Sequence, residues 1–454
     1  MRTFGDESTL VQMDGDPPQQ PASPAPSSPV APAPTIPAAA RSAPRRHRSV
    51  FAASLHRTFS SLENRDYRNL WLGMLAMMAS IQMAQVATGY FVYDITGSAA
   101  RLGIVNAAQA LPLVLLSPLG GVVADRFERK RIIQLGQLVA GVLGILVAIA
   151  IVTGIATWIH MLAMSAVYGV VFSFTMPSRQ SLIPLLVRRD QITNAMALNG
   201  AILSVTFLVA PAIAGVMYAF VGPGSVFFTI GVLGFVAVVL TTFLPHRPGD
   251  GEGEERSVAR DLQLGLQYLW KQPMLRLILF MTLLTTLLSM PFRSIAPVLI
   301  VDVYHLEADA LGLLISVMGL GSIVGSLFIA SGGNRHRGLF LILSGIPSAI
   351  ALIVVAAVPI YLVAVIIMAV MGLGEVVRRA LTHALMMEQA DEHYRGRVMS
   401  IYLMTFGFVP LAVYPAGVAI EYFGPLKIVG AMGIGLMLVT LAFWATQKKL
   451  REAQ

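Results

Sequence analysis

One stretch decides how this chain is interpreted: Gly120-Gly121-Val122-Val123-Ala124-Asp125-Arg126-Phe127-Glu128-Arg129-Lys130-Arg131. It places six charges in the seven residues from Asp125 to Arg131, between two long apolar runs. Such a density of charge cannot lie in hydrocarbon, so the sequence predicts a short turn at a membrane surface. Gly121 allows two helices to approach closely there. We expect Asp125 to accept hydrogen bonds from the first turn of a following helix that begins near Arg131.

A weaker copy of the same pattern occurs in the second half of the chain. Leu102-Gly103 is matched by Leu311-Gly312, and 22 residues after each glycine come Asp125-Arg126 and Asn334-Arg335. A repeat of membrane helices is typical of transporters built from two similar halves. The sequence therefore favours two related groups of spans.

Composition supports a membrane protein. The 454 residues are 56% hydrophobic and only 12% charged, with a mean hydropathy of +0.72. A soluble domain is nearer half apolar and a quarter charged. The absence of cysteine excludes disulfides, thiolate catalysis and Cys-ligated metal. There is no Walker loop, no Gly-x-Ser-x-Gly motif and no histidine pair at metal spacing, so we expect no enzyme activity, no cofactor and no metal.

The distribution of positive charge predicts orientation. Of the 32 Lys and Arg residues, only Arg101 and Lys427 fall in segments that we assign to the outer side. Nearly all the others lie in the tails and in alternate loops. This positive-inside pattern predicts that both termini are cytoplasmic. It also argues against nucleic acid as the partner, despite a net charge of +8.

The hydropathy pattern predicts an all-α integral membrane protein with about twelve transmembrane helices in two pseudo-symmetric six-helix halves. Residues 1–60 read as a disordered Pro/Ala-rich cytoplasmic tail and 447–454 as a short cytoplasmic tail. The halves occupy 61–244 and 273–446, with a cytoplasmic linker at 245–272. The predicted spans run near 70–93, 102–124, 132–153, 157–179, 195–219, 224–244, 273–302, 311–331, 339–357, 360–386, 399–421 and 425–445.

The linker carries one structured segment. From Val258 to Trp270, apolar residues recur at helical spacing with polar residues between them. This pattern predicts an amphipathic helix on the inner membrane face. The alternative is a flexible connection between the halves.

The motifs resemble those of the major facilitator superfamily, over about residues 60–446. The resemblance of the charged turn to that family's loop 2–3 motif rests on Gly121, Asp125, Arg126, Arg129 and Lys130, with Glu128 where glycine is usual. By this resemblance the cluster is an inner gate. Two further stretches are similar to the branch that contains the enterobactin exporter and the macrolide efflux proteins: Pro177-Ser178-Arg179-Gln180-Ser181-Leu182-Ile183-Pro184 and Arg395-Gly396-Arg397-Val398-Met399-Ser400.

A fourth motif concerns helix packing. Ala210-Pro211-x-x-Ala214-Gly215 resembles the Gly-Pro-x-x-Gly-Gly motif of antiporter helix 5, with alanine in place of two glycines. The substitution keeps a face of small side chains. The arginine that drug–proton antiporters often carry early in helix 4 is absent, and Ser165 stands in that region.

Three polar residues are candidates for substrate binding. Arg293 follows Pro291 inside the seventh predicted span, and Gln85 and Gln109 lie in the first two. The resemblance implies that the first and seventh helices line a central cavity, where Arg293 could hold an anionic or carbonyl-bearing group. The alternatives are a snorkelling or structural role for the arginine and helix-to-helix hydrogen bonds for the amides.

Glu375 is the candidate proton carrier. It is a carboxylate well inside the tenth predicted span, and an ionisable group in that position is a functional hypothesis by default. The alternative is a structural ion pair with Arg378 or Arg379, which follow it at helical spacing.

These expectations combine into one prediction. The chain is a secondary active exporter of small amphipathic molecules, of the drug or siderophore class, in the inner membrane of a bacterium. It uses alternating access and proton antiport, and it works as a monomer in contact with membrane lipid. The alternatives are a carrier of other cargo, such as a lipid flippase or nutrient importer, and a transport-dead membrane sensor or scaffold.

Overall fold

Long helices joined by short connections make up the described part of the chain. The computed structural model describes residues 60–245, 258–331 and 336–451, and no strand occurs within these ranges. The predicted tail before residue 60, most of the linker's first part, the repeat residues Asn334 and Arg335, and residues 452–454 lie outside the described residues.

Six α-helices form in the described residues before the linker. Asn64 starts the first of them by accepting a hydrogen bond from the backbone N–H of Asp66 at 2.9 Å, and Gly97 ends it in the left-handed conformation at φ 56°. The helices are α1 (Arg65–Thr96), α2 (Ala99–Arg126), α3 (Arg129–Val152), α4 (Trp158–Leu186), α5 (Ile192–Val221) and α6 (Pro223–Thr242).

The second half contains the same number of spans, in more pieces. A π-helical turn, Leu299–Val303, completes the first of them, and single residues such as Phe408 interrupt others. The linker contains α7 (Val258–Lys271). The helices described in the second half are α8 (Pro273–Ser289), α9 (Pro291–Val298), α10 (Ala308–Ser331), α11 (Arg337–Leu343), α12 (Gly345–Ala357), α13 (Tyr361–Gln389), α14 (Arg395–Gly407), α15 (Val409–Phe423) and α16 (Pro425–Thr446).

The all-α membrane fold is confirmed. Within the described residues, 11 helical stretches are long and apolar enough to cross a membrane, including the continuous stretches Pro273–Val303 and Arg337–Ala357. The remaining predicted span, near 399–421, forms as α14 and α15, of which Leu411–Phe423 is a shorter apolar helix. The prediction of about twelve spans therefore holds with one span divided.

The packing repeats between the halves. In the first half α2 packs on α4 and α3 on α6, and in the second half α10 packs on α13 and α12 on α16. The connections repeat as well, since Gly222 and Gly424 have φ of 98° and 85° and each precedes a proline that begins a helix. The same arrangement of helices therefore occurs twice, as the sequence repeat predicts.

The helix bounds at the charged turn differ slightly from the expected ones. α2 continues to Arg126, so Asp125 lies within its last turn. The N-cap position of α3 is Glu128, and α3 begins at Arg129 rather than near Arg131. The apolar run before Asp125 keeps α2 helical for longer than the charge pattern indicates.

Candidate functional site

The two ends of the helix bundle differ in their connections. We call the end at which α1 begins and α16 ends the terminal face, and the opposite end, with the tight turns at Gly154, Gly222 and Gly424, the hairpin face. The halves meet through two pairs of helices, α5 with α10 and α2 with α15. The closest of these contacts lie in the part of each helix that is nearer to the hairpin face.

The helix 5 motif lies in the first of these contacts. Ala210, Pro211, Ala214 and Gly215 are all buried. A Cβ on Gly215 would collide with the backbone oxygen of Ala308, and one on Gly312 with that of Pro211. The small residues of the motif therefore let α5 and α10 approach to backbone contact.

The second contact has the same construction. A Cβ on Gly103, near the start of α2, would collide with the backbone of Tyr414 in α15. Gly417 faces the backbone of Ala99 in the same way. Both interfaces between the halves are thus dense and backbone-close near the hairpin face.

Two polar groups link the halves at the same face. The hydroxyl of Tyr93 donates to Oδ2 of Asp302 at 2.5 Å, which joins α1 to the end of the seventh span. Oε1 of Glu421 accepts from the hydroxyl of Ser98 at 2.6 Å and from the backbone N–H of Ala100 at 3.1 Å. No local sequence pattern predicts these two links, because the partners are more than 200 residues apart in sequence.

The charged turn of the gate motif lies at the terminal face. Nζ of Lys130 donates to the backbone oxygens of Thr242, the last residue of α6, and of Leu244 just beyond it, at 2.9 and 2.5 Å. Arg129 donates from Nε to the backbone oxygen of Ala124 at 3.2 Å. These cations therefore satisfy carbonyl groups at helix ends.

The charged turn also contains an exposed arginine and an ion pair. Arg126 is exposed, and Glu128 pairs with Arg131 at 2.6 Å. Gly121 and Asp125 lie in the final turns of α2. The turn thus ties α2, α3 and the end of α6 together within the first half.

A small, partly open cavity lies inside the second half, with about 10 Å³ of room for the centre of a water-sized sphere. Its hydroxyl-bearing lining consists of Thr282, Thr286 and Tyr402, and its charged lining consists of Glu375, Arg378 and Arg379. Glu375 is the midpoint of α13, so it lies about 21 Å from either end of that helix at about 1.5 Å per residue. The cavity is therefore near the middle of the bundle.

The structural ion pair proposed as the alternative for Glu375 does not form. Glu375 makes no hydrogen bond or ion pair with any other described residue. Arg378 is only 3% exposed and donates from Nη2 to the hydroxyl of Ser289 at 3.0 Å, while its Nη1 has no described partner. Helical spacing alone permitted the pair, but the side chain of Arg378 turns to α8 instead.

Arg293 lies between the halves. Its guanidinium carbon is 4.4 Å from the centre of the Phe207 ring, which belongs to α5. Its Nε and Nη2 are buried and have no partner among the described residues. The arginine thus packs on an aromatic ring of the first half and does not line the cavity of the second half.

The two candidate glutamines occupy different surroundings. Gln85 is exposed although its neighbours Ala84 and Val86 are 8% and 2% exposed. Gln109 is half-buried, and its backbone oxygen lies where a Cβ on Gly169 of α4 would be. Neither glutamine lines the cavity of the second half.

One buried charge was missed. Arg179 is 2% exposed in α4, and its Nε and Nη1 have no partner among the described residues. The sequence contained the signal, since an arginine within an apolar run is costly unless it has a role. It was noted only as part of a family motif.

The model of a known protein family matches most of the chain. Residues 70–415 match the model of the Major Facilitator Superfamily. The chain belongs to this superfamily. It is a transporter rather than an enzyme, and the repeat, the paired contacts between halves and the charged turn are those of a superfamily member.

Individual proteins extend the comparison. The chain is 24% identical to macrolide efflux protein A of Streptococcus pyogenes over 342 residues, which cover 74% of this chain and 84% of that protein. It is 24% identical to the enterobactin exporter EntS of Citrobacter koseri over 344 residues, covering 74% and 80%. The expected resemblance to this branch of the superfamily is confirmed.

A solved structure gives the same fold. The crystal structure of the nucleoside transporter NupG superposes with a TM-score of 0.66 at 15% identity, and covers 84% of this chain and 99% of that one. At this identity the likeness concerns the fold alone.

Proposed function

We propose that this superfamily member exports small amphipathic molecules, of the drug or siderophore class, across the cytoplasmic membrane of a bacterium. The observation that carries the proposal is the charged cavity near the middle of the bundle, with Glu375 unpaired and Arg378 buried beside it. The efflux relatives support export as the direction. The terminal face is cytoplasmic in this proposal, because it carries the Lys- and Arg-rich loops.

Alternating access follows from the contacts between the halves. With the terminal face in the cytoplasm, the close pairs α5–α10 and α2–α15 shut the outer side, so this is an inward-facing state. Export requires these contacts to separate while the halves close on the inner side. The Tyr93–Asp302 hydrogen bond and the Glu421 contacts must then break.

Proton antiport is the proposed source of energy. A carboxylate without a partner in a cavity of low dielectric can exchange its proton as the cavity opens to one side and then the other. Glu375 meets this description. A proton taken up from outside and released inside would drive one cycle of export.

Inverted membrane vesicles containing the protein provide the test. In these vesicles export appears as uptake, so labelled macrolide and enterobactin should accumulate inside when respiration acidifies the lumen. An uncoupler should abolish accumulation, and vesicles without the protein set the background. Equal accumulation with and without the protein, for both compounds, contradicts export of this cargo class.

A further inference from the structure

The cavity of the second half has an imbalance of charge. Arg378 and Arg379 contribute two positive charges to its lining, and Glu375 contributes the single negative charge. Of the described residues, no other carboxylate lines the cavity. One positive charge is therefore left over near the middle of the membrane, where an uncompensated charge is costly.

An unused hydrogen-bond donor accompanies the excess charge. Nη1 of Arg378, which lines the cavity, is buried without a described partner. Buried donors are normally satisfied, so this N–H is a candidate to bind a ligand. Arg378 is 3% exposed, lines the cavity and is fixed by its bond to Ser289. Its free N–H is held in place before any ligand arrives.

The donor set defines the ligand's chemistry. Guanidinium N–H groups bind a carboxylate through two oxygens more strongly than they bind a neutral carbonyl. The hydroxyls of Thr282 and Thr286 can donate to the same group. Apolar surface lies beside it, because Met290 lines the cavity.

We infer that the transported molecule is an organic anion, whose carboxylate binds to Arg378 while its apolar body lies against Met290. This inference rests on the proposed function, since it names the cargo of that site. In this inference Glu375 exchanges the proton, and the bound anion neutralises the arginines of the cavity.

A matched pair of ligands tests the inference without requiring transport. A dansylated aliphatic carboxylic acid and its primary amide differ only in the charge of the head group. Binding of each to the purified protein in lipid nanodiscs is followed by dansyl fluorescence, with empty nanodiscs as the background. The wild-type protein should bind the acid about tenfold more tightly than the amide or better.

Arg378→Met should remove that preference and leave the affinity for the amide as in the wild type. Methionine has a similar length without charge, so unchanged amide binding also reports an intact cavity. If this variant does not fold, Arg379→Met provides the same measurement from the other arginine of the cavity. Arg101→Gln, a loss of charge at the hairpin face, is the matched control and should keep the full preference for the acid.

Several outcomes overturn the inference. The wild type could bind acid and amide equally, or Arg378→Met could weaken both by the same factor, or Arg101→Gln could abolish the preference as well. Competition between inorganic phosphate and the two dansylated ligands is a further measurement. If phosphate at millimolar concentration displaces the acid but not the amide and needs Arg378, the site binds a free anion instead of the cargo. Failure of macrolide or enterobactin export would leave a positive acid preference intact, so the two proposals fail separately.

Discussion

At the scale of single residues, Glu375 carries the proposed coupling. Glu375→Gln resembles the permanently protonated side chain. We expect the variant to bind cargo and to exchange labelled for unlabelled cargo across the membrane, because neither step needs net proton transfer. Uphill export driven by a pH gradient should vanish. Parallel exchange and gradient-driven flux assays in proteoliposomes measure the two properties.

The same helix provides a control for Glu375. Glu388, near the end of α13, pairs with Arg337 at the terminal face and is away from the cavity. Glu388→Gln should therefore pump at nearly the wild-type rate. Retained uphill transport by Glu375→Gln would exclude this residue as the proton carrier.

Tyr93 provides a second prediction at this scale. Tyr93→Phe removes the hydroxyl that binds Asp302 and keeps the ring, so the hairpin face should open more often. The chain has no cysteine, so a single Ala99→Cys substitution reports this opening through labelling by a membrane-impermeant maleimide. Ala99 is 1% exposed when the face is closed. Labelling should become several-fold faster in Tyr93→Phe and stay unchanged in Tyr422→Phe, whose ring is 81% exposed.

Residue chemistry was only partly predictable. The sequence identified Glu375 and Arg293 because charge within an apolar run is informative by itself. The sequence could not decide whether Arg378 pairs with Glu375 on α13 or bonds to another helix. Helical spacing permits the pair and does not exclude the bond to Ser289. The outcome depends on how α8 and α13 pack, and no local pattern encodes that.

At the scale of elements, the backbone contact between α5 and α10 sets the conformational equilibrium. Gly312→Leu places a side chain where the backbone of Pro211 and Gly215 lies, so it should force the two helices apart. We expect faster labelling of Ala99→Cys in this background and a lower rate of transport. Gly200→Leu is the matched control, because nothing lies within 4 Å of a Cβ at that position of α5. Equal effects of the two substitutions would contradict a specific role for the contact.

The charged turn gives a second prediction for elements. Lys130→Gln removes the cation that binds the carbonyl groups at the end of α6, so the terminal end of that helix loses its tie to α3. Transport should fall while the amount of inserted protein, measured by fluorescence-detected size exclusion, stays near normal. Arg131→Gln removes a charge whose side chain is 77% exposed and should have little effect on either measurement. Loss of insertion in Lys130→Gln would indicate a folding role instead.

Element positions followed from hydropathy, but their ends did not. The predicted spans are correct because an apolar run of about 20 residues is dictated by membrane thickness. Helix ends differ by several residues, as at Leu186, where α4 continues seven residues beyond the predicted 179. Pro177 and Pro184 both lie inside α4. Prolines usually indicate the end of a helix, but here the neighbouring helices stabilise the continuation of α4. The interruption at Phe408 has no signal in the apolar pattern.

At the scale of the whole molecule, the internal repeat produces both interfaces between the halves. The pairs α5–α10 and α2–α15 are related by the repeat, and each brings small residues of one half against backbone of the other. Rocking of one half against the other therefore acts on both interfaces together. The sequence predicted two halves from Gly103 and Gly312, and it could not predict which faces meet, because that is decided by contacts far apart along the chain.

The charge carried by one full transport cycle distinguishes the cargo types. When one proton enters and a monovalent anion leaves, two elementary charges move down an inside-negative potential, and each contributes about 2.3 kcal/mol per 100 mV. A neutral cargo moves one charge per cycle, and a monovalent cation moves none. A potential of about 100 mV alone should thus accumulate a neutral cargo roughly 50-fold at equilibrium, and an anion by the square of that factor.

Proteoliposomes with equal pH on both sides and a potassium gradient set by valinomycin measure this dependence. The dansylated acid should show twice the dependence on potential that its amide shows, in the logarithm of the accumulation ratio. Vesicles without protein correct for passive movement of each compound. Equal slopes for acid and amide would mean that the carboxylate does not cross as an anion. A slope of zero for the amide would mean that no proton is exchanged for it, and Glu375 would then be an anion-site residue without a role in coupling.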